Sequence, residues 1–209
     1  MLLYIPAALP PMPKINTEML SNKEWGPPTA DGEYCWEMIK LVGDNKDIYS
    51  HKDLLEDFKK ENYDFMQWIS CLPYKELINA KIHYQHRLLG VPVHIDLTQP
   101  NKDINHYHHL YYNEPAGYRV ILSGKLKNTL YLWNENKEKI YCNMPCDKST
   151  NTYLMNCTTG IHGVESDLGR AVLFLQFTLD LNRHHKIVKN SIKKYNDYAV
   201  RIRNNIIHK

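Results

Sequence analysis

The sequence predicts a mainly β domain with flanking helices, a sandwich or small barrel, and three observations carry that reading. From Lys81 the chain breaks into short runs at 81–88, 91–97, 117–123, 129–133, 138–142, 152–157, 161–165 and 170–180. Gly90, Gly117, Gly124, Asn134, Pro145, Gly160 and Gly169 punctuate them, the spacing of an all-β domain. The last run alternates cleanly: Ala171, Leu173, Leu175, Phe177 and Leu179 form one face, and Arg170, Val172, Phe174, Gln176, Thr178 and Asp180 the other. On either side of this region the apolar period lengthens to that of a helix.

Taken in order, residues 1–50 read as an N-terminal arm and a first strand. Prolines at 6, 10 and 11, then Trp25-Gly26-Pro27-Pro28 and Asp31-Gly32, keep the arm extended, available to close the barrel; Tyr34–Val42 alternates loosely as a strand. Residues 51–80 are a helical segment that packs on the barrel. Ser50 ahead of Asp53 resembles a capping box, and Leu54, Leu55, Phe58, Tyr63, Met66 and Ile69 follow at helical spacing. Residues 81–182 are the β core. Residues 183–209 read as one basic amphipathic helix, with Val188, Ile192, Tyr195, Ala199, Ile202 and Ile206 repeating as a heptad seam. That seam suits packing on the chain's own barrel or on a second copy, so a homodimer through this helix is one expectation.

Composition narrows the function classes. At 209 residues with 43% hydrophobic content, the chain can bury a core, which excludes disorder throughout. The five cysteines, 35, 71, 142, 146 and 157, are odd in number and spread over a chain too long to need staples, so they read as reduced thiols. The apolar start lacks a basic n-region, and no run approaches a membrane span, so a soluble, cytoplasmic protein without membrane partners is expected. Residues 183–209 hold eight Lys/Arg against one acid, whereas 1–182 hold 18 against 22, so the body is mildly acidic and nucleic acid is not an expected partner. Abundant Asn, Lys, Ile and Tyr suit an AT-rich genome, such as that of a virus or phage.

The chemistry concentrates at 91–97. Read as a strand, Val91, Val93, Ile95 and Leu97 share an apolar face that packs under the helices, while Pro92, His94 and Asp96 share the other. A His and an Asp one pleat apart can aim an imidazole and a carboxylate at one point, which is what a metal needing a nitrogen and a hard oxygen requires. A third ligand from another strand would complete a facial triad, and His162 stands 68 residues on, in Thr158-Thr159-Gly160-Ile161-His162-Gly163-Val164. Arg170 follows at the head of the last strand, where an inward guanidinium is costly unless something negative meets it.

In this order of His94-x-Asp96, an Arg119 strand, His162 and Arg170, the sequence resembles the 2-oxoglutarate/Fe(II) oxygenases, over about residues 81–181. It is most similar to the aspartyl/asparaginyl β-hydroxylase-like branch and its proline hydroxylase relatives. Tyr118-Arg119-Val120-Ile121-Leu122-Ser123-Gly124 resembles that branch's mid-barrel Arg strand, and His162-Gly-Val-Glu-Ser-Asp-Leu-Gly-Arg170-Ala-Val-Leu its ending. The loop before His162 departs from the branch in lacking its acidic and aromatic residues. The resemblance implies a double-stranded β-helix (a cupin-like jelly roll) with Fe(II) held by His94, Asp96 and His162. It also implies 2-oxoglutarate as co-substrate, its distal carboxylate bound by Arg170, with Arg119 the second candidate for that carboxylate or for a substrate's. O2 and a free amino acid, a peptidyl residue or another small metabolite would be the other reactants, with succinate and CO2 released. With Asp96 present no halide position is left, so hydroxylation is implied rather than halogenation.

Competing patterns are present. His106-Tyr107-His108-His109 with Glu114 faintly resembles the first motif of metal cupins, so a non-oxygenase cupin enzyme is an alternative. A β-helix without activity, serving as a binding or structural module, is another. Cys142 and Cys146 with Cys157 lack a fourth zinc ligand and read as free thiols. Tyr131, Trp133 and Tyr153 are candidates to line a pocket or to fill the core.

Overall fold

The period-two runs become strands in a computed structural model that describes residues 1–18, 36–42, 52–85, 90–95, 115–124, 127–147, 149–167, 169–203 and 206–208. In chain order the strands are Leu2–Pro6 (β1), Trp36–Val42 (β2), Tyr74–Gln85 (β3), Val91–His94 (β4), Gly117–Ser123 (β5) and Leu130–Trp133 (β6). Lys139–Tyr141 (β7), Thr152–Met155 (β8), His162–Val164 (β9), Arg170–Leu179 (β10), Val200–Arg203 (β11) and Ile206–His208 (β12) follow. The α-helices among the described residues are Lys52–Glu61 (α1), Tyr63–Trp68 (α2) and Leu181–Tyr195 (α3). None of the described helices is long and apolar enough to cross a membrane.

The described strands form two antiparallel sheets. The larger has the order β12-β11-β1-β8-β5-β10-β3-β2 and the smaller β4-β9-β6-β7. Within them the consecutive strands β3 to β10 interleave, with β3-β10-β5-β8 in one sheet and β4-β9-β6-β7 in the other. The two faces of β10 explain how the layers stack. Ala171, Leu173, Leu175, Phe177 and Leu179 join Ile82, Tyr118, Val120 and Leu154 in a core that Phe58, Phe65, Trp68, Val188 and Tyr195 close from the helices. Val172 and Phe174 point the other way, into a second core shared with Leu130, Leu132 and Val164 of the small sheet. A site between the sheets is thus shielded on one side by the large sheet and its helices.

Three expectations about the elements are corrected. The chain from Leu2 to Pro6 is not part of an arm but a strand between β8 and β11, with Leu3, Tyr4 and Ile5 completely buried. Residues 7–18 then run along the helical side: Trp68 Nε1 donates to Pro10 O at 3.1 Å, and Asn62 Oδ1 accepts from Asn16 N at 2.7 Å. β3 begins at Tyr74 rather than 81, because Pro73 stops the 3-10 turn at Ile69–Cys71 and cannot continue a helix. The 183–209 helix ends at Tyr195. After the 3-10 turn Asn196–Tyr198, β-branched Val200, Ile202, Ile206 and Ile207 form a hairpin whose β11 pairs with β1, so Ala199, Ile202 and Ile206 never enter a heptad seam. The capping serine at 50 lies outside the described residues.

Candidate functional site

β4 and β9 are neighbours in the small sheet, and their register sets His94 directly opposite His162. Opposed residues in an antiparallel pair point to the same face. The imidazole centroids are 4.3 Å apart with planes at 52°. On the other side of β9, His162 is opposite Leu132, a buried member of the core between the sheets. The row His94–His162–Leu132 therefore looks at the large sheet. The ladder shifts between Val91 and His94, so Val91 stands opposite Val164 and the strict alternation read from the sequence fails there. Nor does this strand pack under the helices, which cover the far face of the other sheet.

His162 is 7% exposed, and its Nδ1 lies 2.9 Å from the carbonyl oxygen of Gly160. A carbonyl only accepts, so Nδ1 carries a proton, and in a neutral ring that places the lone pair on Nε2, the form an imidazole takes as a metal ligand. Gly160 fits because it has no side chain: a Cβ there would meet Leu132 Cδ2 at 2.6 Å.

The large sheet presents two arginines to the same space. On β10, Arg170 shares the face of Val172 and Phe174 and is 5% exposed. On β5, Arg119 is opposite Phe174 on one side and Tyr153 on the other, and is 6% exposed. Its guanidinium carbon lies 4.1 Å from the Phe174 ring centroid, Nη1 donates to Tyr118 O at 3.1 Å, and Nη2 reaches Cys157 Sγ at 3.7 Å. Phe174 stacks in turn on His83, at 4.0 Å and 17°. Burial pushes the Tyr153 hydroxyl up to about 12, against the opposing pull of Arg170 and then Arg119, so both cations are felt at that phenol. Gly124, at φ +95°, lets the chain pass Arg170: a Cβ there would stand 2.8 Å from Arg170 Cα, Cβ and Cγ.

Of the predicted ligands, His94 and His162 are brought together, and Arg119 and Arg170 share a face of the opposite sheet. Asp96 lies outside the described residues, as do His106, His108, His109 and Glu114. Among the described residues no group of three His, Cys, Asp or Glu side chains gathers to hold a metal. Cys71 and Cys146 are free thiols, and Cys142 and Cys157 are buried between the sheets. Tyr153 faces that layer, whereas Tyr131 and Trp133 alternate with Leu130 and Leu132 and so face away from it.

Sequence reasoning missed His83 and Gln85, which are buried opposite Val172 and Arg170. Their alternation with Ile82 and Tyr84 in 81–85 was the available signal. No protein-family model matches the chain, and no curated protein matches it in sequence.

Chemically, the space between the sheets offers two imidazoles on one wall and two buried guanidinium groups on the other. That combination suits a divalent metal beside an anionic, chelating small molecule.

Proposed function

We propose that the protein is an Fe(II)- and 2-oxoglutarate-dependent dioxygenase that hydroxylates an unactivated C–H of a free amino acid, a peptidyl residue or another small metabolite. The observation that carries this reading is the His94–His162 pair, directly opposed across β4 and β9, with Nδ1 of His162 held against the Gly160 carbonyl. The strand orders support a double-stranded β-helix beneath it. Counting β3 to β10 as one to eight, the sheets run 1-8-3-6 and 2-7-4-5, the order that a jelly roll of two Greek keys requires.

In this reading His94, Asp96 and His162 hold the iron, and Arg170 takes the distal carboxylate of 2-oxoglutarate through two parallel N–H donors. The bound iron and co-substrate supply the oxidising chemistry, consuming O2 and releasing succinate and CO2. The chain's own work is positioning. The Gly160 carbonyl fixes the His162 ring, while Ile121, Leu132, Val172 and Phe174 keep water from the space between the sheets. Tyr153, with its hydroxyl pushed up to about 12, stays protonated at neutral pH and can donate a hydrogen bond there.

The test is succinate release in air from 2-oxoglutarate with Fe(II) and ascorbate, which returns the iron to Fe(II) when no substrate is present. The wild type forms succinate, and Arg170→Ala raises the half-saturating 2-oxoglutarate concentration about tenfold or more. An unchanged concentration in Arg170→Ala with a rise in Arg119→Ala would exchange their roles, and no succinate from any form rejects the reading.

A further inference from the structure

The outer face of α3 carries charge that the core does not explain. The helix has five Lys/Arg and no acid, on a chain whose first 182 residues are mildly acidic. Two of the five have work within the fold: Arg183 Nη2 donates to Ser70 O and Cys71 O, and Lys194 lies over the Tyr195 ring. Lys186, Lys189 and Lys193 are exposed. Spaced three and four residues apart, they form one stripe about 10 Å long. It lies opposite the face that buries His184, Val188, Ser191 and Tyr195. Beside the stripe runs a groove lined by His185, Val188, Lys189 and Ile192, with Ile192 38% exposed.

We propose that this face docks an acidic segment of a partner protein, with an aliphatic residue of that segment in the groove and its carboxylates on Lys186, Lys189 and Lys193. Charge complementarity selects an anionic occupant. A second copy placed on this face by a two-fold axis would set lysine stripe against lysine stripe, which costs rather than gains. A single nucleic-acid strand would use exposed aromatic rings for stacking, but Tyr195 of this helix is buried. A bilayer would use Trp or Tyr at the interface, and α3 has neither exposed. Acidic side chains flanking a leucine satisfy both the stripe and the groove. The face lies on the helical side of the large sheet, so the proposal does not depend on the chemistry between the sheets.

The experiment is fluorescence anisotropy on the full chain with a labelled peptide of glutamates and leucines, an all-glutamate peptide of equal length, an oligothymidylate, and phosphatidylserine vesicles. The leucine-containing peptide should bind about tenfold or more tighter than the other three. The triple variant Lys186→Glu, Lys189→Glu, Lys193→Glu should lose that binding about tenfold or more with its melting temperature kept. Ile192→Asp should abolish the preference for leucine over all-glutamate. Equal or tighter binding of the oligonucleotide or vesicles overturns the proposal, as does a retained preference in Ile192→Asp or no binding of the peptide.

Discussion

His94 and His162 are cross-strand partners whose rings stand 4.3 Å apart, and the carbonyl of Gly160 fixes the second of them. Two imidazoles in one small space are costly to charge together and well placed to share a cation. We predict that His94→Ala and His162→Ala each weaken Fe(II) or Co(II) binding about 100-fold or more, read by anaerobic titration. Gly160→Ala acts on the same ligand indirectly, since its Cβ would press on Leu132. It should weaken binding less than His162→Ala does; equal metal affinity in all three variants and wild type would remove both histidines from the site.

Gly124 and Arg170 are similarly linked. An alanine at 124 would have to adopt φ +95° and overlap the first carbons of Arg170. We expect Gly124→Ala to cost about 1–3 kcal/mol in urea unfolding and to raise the 2-oxoglutarate requirement, whereas Asn128→Ala, at an exposed turn, leaves that requirement unchanged. Unchanged stability in Gly124→Ala would show that the loop relaxes away from Arg170.

His184 supplies a pH signature for the docking of α3. Its Nδ1 meets the Tyr118 hydroxyl at 2.9 Å, and burial, then the neighbouring His185, lowers its pKa to about 4. In the unfolded chain the ring titrates near 6.5, so between about 6.5 and 4 the unfolded state binds the extra proton. Stability contributed by the neutral ring is therefore complete above pH 6.5 and falls as pH drops towards 4, by at most about 3 kcal/mol. Thermal melts should show this fall, and His184→Leu should flatten it while losing about 1 kcal/mol at pH 8 with the Tyr118 bond. An identical acid limb in His184→Leu would assign the fall to other groups.

Much of this arrangement was legible because two signals are local. The alternation of Ala171 to Leu179 fixed both faces of β10, and the turn residues bounded the strands between 91 and 179 within a few positions. The His94–His162 meeting was legible only through the pattern His-x-Asp, then a distal His and Arg, since no local rule brings residues 68 apart into register. What escaped depended on partners distant in sequence. Val200 to Ile207 satisfy a heptad and an alternating strand about equally well, and the open edge of β1 decided for the strand. The bulge in β4 and the inward turn of His83 and Gln85 follow from pairing with β9 and β10, which composition cannot express.

The most direct test of the central claim is anaerobic addition of Fe(II) and 2-oxoglutarate to the protein, followed by visible absorption. Chelation of iron by 2-oxoglutarate on His94, Asp96 and His162 predicts a weak metal-to-ligand charge-transfer band in wild type, lost in His162→Ala and Asp96→Ala. No band in the folded wild-type protein, or the same band surviving both substitutions, would contradict the account.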